Sequence, residues 1–575
     1  MELDYKVSIV DPHQHQLKVV ISGVRDKSQK TLSFFLPSWS PGSYLMREYA
    51  RHVAKFNATN SFGEQLFFEQ TAKGTWQVDW GESELVQDNE KFEITYWVYC
   101  HELTVRTSHI DNDHAFLHGP SYLMGVVGQD MVNLTLQLDF PAFWSKVSTG
   151  LQDISDKREI FLYAAKSYDD LIDCPIEIGN HETTGFAVAG VNHYLAFYGK
   201  TLPHKCPLVA DIQTIVEHIS QAMGEIPYSD YTFITHFVPN LYGGLEHKNS
   251  TALHFDALKL NDRKSYLNWL CLVSHEYFHT WNVKRIRPKE LGPFQYTEEN
   301  YSKMLWLAEG LTVFMDELFV LRAGLMGLEE YLDLQRAYIN RYGRIAGRKF
   351  DSLEASSFNA WVKLYRPDEN SENATISYYL KGGLAFFQLN VLLHEHGKDM
   401  QDLLNLLWKS YKNRPQQGCS EEEVFTIVED LTNKDVREKF EIMIKTTEEY
   451  DLELYCQKMG LIFVWAEQKK PWIGAVVRYS GERVFVKTVE LDGPAYKYGL
   501  NCGDEVLAIN GLRVTKSTHK EIDKILLVET SYTFTISRLD QLRDIEIVVG
   551  KTPRYLQKIE IADEARVKEI LLSGV

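Results

Sequence analysis

Ser265-Tyr-Leu-Asn-Trp-Leu-Cys-Leu-Val-Ser-His275-Glu276-Tyr277-Phe278-His279 carries the chemistry that organises the reading of this chain. The ten residues ahead of His275 are apolar enough for a buried helix. On a helix, positions i and i+4 lie about 40° apart, so the imidazoles of His275 and His279 project from one face. Two imidazole nitrogens, each about 2.0–2.1 Å from an ion, supply half of a tetrahedral zinc site. Glu276 lies one residue along and cannot share that position, but it can reach a water held at the ion and act there as general base. The alternative is a pair of helix histidines hydrogen-bonded in a core. Burying both, with a carboxylate, and without strong partners is expensive.

A third ligand is expected to be a carboxylate on a neighbouring helix. Leu305-Trp-Leu-Ala-Glu309-Gly-Leu-Thr-Val-Phe-Met-Asp316 provides one, with Glu309 set among apolar residues where a lone acid is anomalous unless paired or coordinated. Two neutral imidazoles and one carboxylate leave one position open for water, the catalytic arrangement of zinc, with one Zn2+ per chain. Asp316 lies two turns further on and either orients a histidine or is a solvated helix carboxylate.

The rest of the chain bounds the context. Its 575 residues are enough for three or four domains at about 100–200 residues each. With 61 basic against 79 acidic residues, the net charge of −18 disfavours nucleic acid, whose binding draws on Lys and Arg. No apolar run reaches the roughly 18–20 residues of a membrane span. The seven cysteines are scattered and form no CxxC pair, which suits reduced thiols. The opening Met1-Glu-Leu-Asp-Tyr5 lacks the basic and apolar regions of a secretory leader, so a cytoplasmic location is expected.

Period-two runs such as Tyr5–Val10, Leu17–Ile21, Phe92–Tyr99 and Leu134–Phe140 predict antiparallel strands in a sandwich up to about residue 170. Helical spacing begins at about 206, a strand-like Tyr231–Val238 follows, and helical patterns then dominate to about 455. Strand patterning returns after Pro471, and 553–575 reads as a charged terminal helix opened by its proline.

On these residues a family resemblance becomes visible. HExxH followed by a Trp-Leu-x-Glu-Gly helix resembles the gluzincin metallopeptidases and the aminopeptidase N superfamily. The longer run His275-Glu-Tyr-Phe-His-Thr-Trp-Asn-Val-Lys-Arg-Ile-Arg-Pro288 is similar to the glycyl aminopeptidase family, whose members carry a C-terminal PDZ domain. Pro37-Ser-Trp-Ser-Pro-Gly-Ser-Tyr-Leu-Met-Arg47 resembles a segment of that family's β-rich N-terminal domain. The resemblance implies a multi-domain α+β chain. Its parts are a sandwich-like β domain at 1–170, a thermolysin-like zinc peptidase domain at 171–330, a helical domain at 331–455, a PDZ domain at 456–552 and the tail at 553–575. It also implies His275, His279 and Glu309 as zinc ligands and Glu276 as base.

Two shorter elements extend it. Gly243-Gly244-Leu245-Glu246-His247 resembles the Gly-x-Met-Glu-Asn element with which relatives hold substrate on an edge strand, which implies Glu246 as anchor for a free α-amino group. Leu245 and His247 depart from that pattern, so an endopeptidase remains the first alternative. Tyr378-Tyr379-Leu-Lys-Gly-Gly383 resembles the Tyr-x-Lys-Gly element and implies Tyr379 as the phenol that stabilises the oxyanion, with Tyr378 its neighbouring alternative. The basic cluster Lys284, Arg285, Arg287 reads as structural ion pairs or substrate contacts.

Gly493–Gly511 reads as a short helix, a Gly-Asp turn, a buried strand and an Asn-Gly turn, and resembles a PDZ core. By that resemblance Trp472, Ile473, Gly474 and Ala475 form the loop that receives a peptide carboxylate, with Glu521–Leu527 as the helix beside the groove. The expectation is a zinc metalloaminopeptidase acting on peptides with free N-termini, preferring Gly or Ala, with a peptide ligand at the PDZ groove. A PDZ-based binding protein with an inactive zinc site is the second alternative.

Overall fold

The computed structural model describes residues 1–26, 28–81, 89–156, 160–199, 206–467 and 470–573. By internal contacts the chain forms two compact units: residues 1–300 with 408–419, and 301–407 with 420–575.

In the first unit, alternating apolar residues build the predicted strands. Leu3–Ser8, Gln16–Asp26, Asn89–Tyr99 and Val132–Asp139 lie together in a seven-stranded sheet. Tyr5, Leu17, Val19, Ile21, Ile94, Tyr96, Leu134 and Leu136 project from it into one core with Phe34 and Val78 of a four-stranded sheet. Period-two side chains place each strand's apolar half on that inner face. Most pairings are antiparallel, but Leu3–Ser8 runs parallel to Val132–Asp139. A further sheet contains Lys146–Thr149, Ile176–Gly179, His114–Leu117 and His109–Ile110, so the N-terminal strands continue to Gly179, beyond residue 170.

A five-stranded sheet follows, with spatial order Glu182–Val188, Val191–Tyr198, Asp230–Phe237, Ser250–Phe255 and Gly243–Glu246. Gly243–Glu246 therefore forms its edge among the described residues. Leu208–Met223 and Arg263–Phe278 are its helices, and the Tyr277 hydroxyl in the second contacts Ser220 of the first at 2.8 Å.

The second unit is helical and then β. Trp306–Gly310 makes a π-helical turn that runs into the α-helix Leu311–Arg322. Such widened turns are rare and frequently mark functional sites. Tyr378–Glu395 is buried almost all round, as expected of a helix apolar on every face. It crosses the π turn at two glycines. A Cβ on Gly310 would lie 2.7 Å from the Gly382 Cα, and one on Gly382 would lie 2.9 Å from the Gly310 Cα. Gly310→Ala is expected to destabilise the chain by about 1–3 kcal/mol, the range for overpacking, as read from the denaturation midpoint at unchanged slope.

The PDZ sheet contains Ala475–Ser480, Arg483–Val489, Glu505–Ile509, Ser531–Arg538 and Gln541–Val548, around a core of Val484, Val486, Leu500, Phe534, Ile536 and Ile547. The tail corrects the expectation of a single helix from Pro553. Leu556–Ile561 is a strand paired with Leu461–Trp465, and among the described residues of the tail only Glu564–Leu572 is helical. That helix buries Val567, Ile570 and Leu571, and the Leu571 carbonyl accepts a bond from Arg322 at 2.8 Å. Thus the PDZ domain is tied to the helices of its unit at both chain ends. Asn373 adds a third tie, donating to the Val489 carbonyl at 2.8 Å and accepting from the Leu491 N–H at 2.9 Å.

Candidate active site

The helix Arg263–Phe278 opens on Asp262, whose carboxylate accepts from the Ser265 N–H at 2.8 Å, and closes at His279. His275 and His279 stand with ring centroids 4.5 Å apart and planes at 89°. His279 is buried, and its Nδ1 lies 2.6 Å from the Asn282 carbonyl. That contact selects the tautomer with the proton on Nδ1 and the lone pair on Nε2, the usual outer support of a ligating imidazole. The donor chemistry of this pair fits zinc.

Edge strand and helix meet at two carboxylates. Glu246, Glu276 and His279 are all buried and offer ligand-type atoms within 4.8 Å of one another. Gly244 lies directly beside Glu276: a Cβ there would sit 2.1 Å from Oε1. The Gly244 carbonyl accepts a bond from Arg106 at 3.1 Å. Glu246 is covered from the N-terminal β domain by Gly42, whose Cβ would lie 2.3 Å from Oε1, and Gly42 has φ +84°, a conformation suited to glycine. Oε1 of Glu246 has no hydrogen-bond partner among the described residues.

A cavity of about 460 Å³ opens beside Glu246. Trp39, Tyr44 and Phe294 give it aromatic walls, and Lys248, Lys284 and Arg287 reach it as cations. Two of these cations are paired, Lys284 with Asp173 and Lys248 with Asp170, each at 2.6 Å. Burial alone would raise the Asp173 carboxyl, but Lys284 and His247 hold it well below the ordinary carboxylate range. Arg285 donates to the carbonyls of Thr280 and Pro227 at 2.7 and 2.8 Å, and Arg287 to that of Gln416 at 3.1 Å. Lys284, Arg285 and Arg287 thus brace the chain after the helix, and Lys284 and Arg287 also face the cavity.

In the second unit Glu309 is buried on the π turn. Tyr378 is fully buried, whereas Tyr379 is half-buried, with its hydroxyl 3.3 Å from that of Tyr365. Burial, and after it the charge of Glu309, push the Tyr379 phenol well above its ordinary range, so it remains a hydrogen-bond donor at neutral pH.

In the PDZ domain, Gly474 has φ +72° and its carbonyl accepts from the Glu490 N–H at 2.8 Å, while that of Ile473 accepts from Ala495 at 2.7 Å. Ala475–Ser480 pairs on one side only, with Arg483–Val489, and is an edge strand among the described residues. His519–Ile525 is the domain's second helix.

What sequence reasoning missed is the cover over Glu246. Pro37–Arg47 carries no local signal for that role; the structure puts its Gly42 against the carboxylate.

Comparison with known proteins follows the same division. A model of the peptidase M61 N-terminal domain matches residues 4–180, that of the M61 glycyl aminopeptidase matches 268–385, and a PDZ model matches 465–531. A crystal structure of an aminopeptidase N family protein from Idiomarina loihiensis is 28% identical, covers 99% of this chain and 100% of its own, and superposes with a TM-score of 0.92. An M1 zinc metallopeptidase from Deinococcus radiodurans shares the fold at 12% identity, with a TM-score of 0.52 over 79% of this chain and 95% of its own. No curated protein sequence matches. Fold and family models together define a zinc metallopeptidase of the aminopeptidase kind. The chain belongs to the M61 glycyl aminopeptidase family and carries that family's PDZ domain. The reading as a mere PDZ-based binding protein is thereby set aside. No helix among the described residues is long and apolar enough to cross a membrane.

Proposed function

We propose that this enzyme removes N-terminal residues from peptides, with a preference for small side chains such as Gly and Ala, the latter resting on the glycyl aminopeptidase family. His275, His279 and Glu309 are the residues that would hold one Zn2+. When bound, the ion supplies Lewis acidity toward the scissile carbonyl and the attacking water.

The observation that carries the reading is the pair of buried carboxylates, Glu246 on the edge strand and Glu276 on the helix. A buried carboxylate oxygen without a hydrogen-bond partner, beside a cavity, calls for a cation, and the α-ammonium of a peptide provides one. With the amine fixed at Glu246, the first peptide bond is presented to Glu276. Its carboxylate accepts a proton from water and returns it to the departing amine. Tyr379 donates to the carbonyl oxygen as charge develops there, and its partial exposure favours it over the enclosed Tyr378. Gly243 and Gly244 keep the strand bare so that a substrate backbone can approach.

An endopeptidase with PDZ-recruited substrates is the second reading, favoured by the cavity beside Glu246, which offers room for residues ahead of the scissile bond. For the PDZ domain, a peptide ligand adding to the edge Ala475–Ser480, with its carboxylate at Trp472–Ala475, is the reading that the open edge supports. All seven cysteines are reduced thiols, which favours a reducing compartment such as the cytoplasm.

A peptide library digested in free and N-acetylated form, read by mass spectrometry, separates the readings. Loss of single residues from free N-termini, with acetylated peptides untouched, is expected. Equal cleavage of both forms would overturn the aminopeptidase assignment and leave the endopeptidase.

A further inference from the structure

The N-terminal β domain contains a second cluster of metal-ligand type, built on the hairpin His109–Ile110 and His114–Leu117. His109 pairs with Phe116 and Ile110 with Ala115, while the Asp111 N–H bonds the His114 carbonyl at 3.0 Å. Side chains alternate along each strand and opposed residues share a face, so His109, Asp111 and His114 project together. One ligand-type atom from each lies within 4.8 Å of the other two.

The three side chains are held from behind. Asp111 Oδ1 accepts from the N–H groups of Asp113 and His114 at 2.8 and 3.0 Å, and Oδ2 lies 3.0 Å from His109 Nε2. His114 is 1% exposed. Its Nδ1 lies 2.7 Å from Glu177 Oε1, while its Nε2 has no hydrogen-bond partner among the described residues. Glu177, itself buried, also meets His236 Nε2 at 2.9 Å, and His236 Nδ1 lies 2.9 Å from His254 Nε2. Tyr198 stacks on the His114 ring at 3.4 Å between centroids, so the imidazole is fixed in orientation.

A carboxylate that accepts from one imidazole nitrogen fixes the tautomer and leaves the other nitrogen basic, which is how metal-ligating histidines are commonly supported. A buried lone pair with no donor is costly in a metal-free protein. We propose that His109, Asp111 and His114 form a second divalent-metal site of zinc type, with Glu177 orienting His114 from behind. Two imidazoles and a carboxylate match zinc in softness and charge, and partly exposed Asp111 leaves a side open for water as fourth ligand. Through Glu177 and His236 the ion braces the N-terminal strands against the five-stranded sheet.

The test is metal content of the full chain after exhaustive chelation, reloading with Zn2+ alone and desalting. About two ions per chain are expected for wild type, and about one for His109→Ala and for His275→Ala. Glu177→Gln is expected to weaken zinc at the hairpin about 10–100-fold while leaving its ligands in place. Circular dichroism and thermal unfolding in the metal-free state check that each variant folds, and His109→Ala, at the more open end, serves if Glu177→Gln does not. Wild type binding a single ion that His109→Ala leaves untouched would overturn the proposal. Loss of zinc from His109→Ala but not from His275→Ala would instead sink the catalytic assignment.

Discussion

Glu276→Gln is expected to keep the fold and the zinc content but to lower the rate of peptide hydrolysis by about three orders of magnitude. The substitution is nearly isosteric, so the buried space beside Gly244 is still filled. The amide cannot take up a proton at pH 7, and general-base contributions are typically worth about 100–10,000-fold. Neither imidazole nor the Glu309 carboxylate is altered, so metal content is the control within the same sample. A Gln variant retaining more than about a tenth of the wild-type rate would remove Glu276 from the role of base.

Gly244→Ala is expected to give the second large loss, by displacing the same carboxylate. Its Cβ would fall 2.1 Å from Glu276 Oε1, far inside contact distance, while the edge strand is held by Ser250–Phe255 on one side and by Arg106 at the Gly244 carbonyl. The carboxylate is the more movable party. A shift of about 1 Å in a catalytic group can cost on the order of 100-fold, and that is the fall expected in kcat. Combining Gly244→Ala with Glu276→Asp draws the carboxylate back by one methylene. The double variant is expected to lose less than the product of the single losses, a coupling that a double-mutant cycle measures. Strict multiplicativity would mean that the glycine and the glutamate act separately.

The legible part of this molecule was local. The i, i+4 spacing of His275 and His279 and the apolar setting of Glu309 mark them as candidate ligands from sequence alone. The alternation of Tyr5–Val10 and Leu134–Phe140 gives strands, but not that Leu3–Ser8 and Val132–Asp139 run parallel, because pairing direction is settled across more than a hundred residues. The tail misled for an identifiable reason. Leu556 and Ile559 are buried three apart, a helical interval, yet they belong to a strand. The register shift opposite Val464 and Trp465 inserts an extra residue, so both side chains reach the same face. The widened turn at Trp306–Gly310 has no periodicity of its own, since the surrounding pattern is that of any buried helix. Gly42 over Glu246 and the string His114, Glu177, His236, His254 are tertiary facts assembled from distant segments.

The antiparallel pair Leu461–Trp465 and Leu556–Ile561 gives the C-terminal architecture a modular logic. The chain departs for the PDZ domain from one strand and returns on its immediate neighbour, so the entire domain occupies the position of a hairpin loop. An insertion of that kind can be gained, exchanged or shed in the history of a family while the terminal helix keeps its seat among the others.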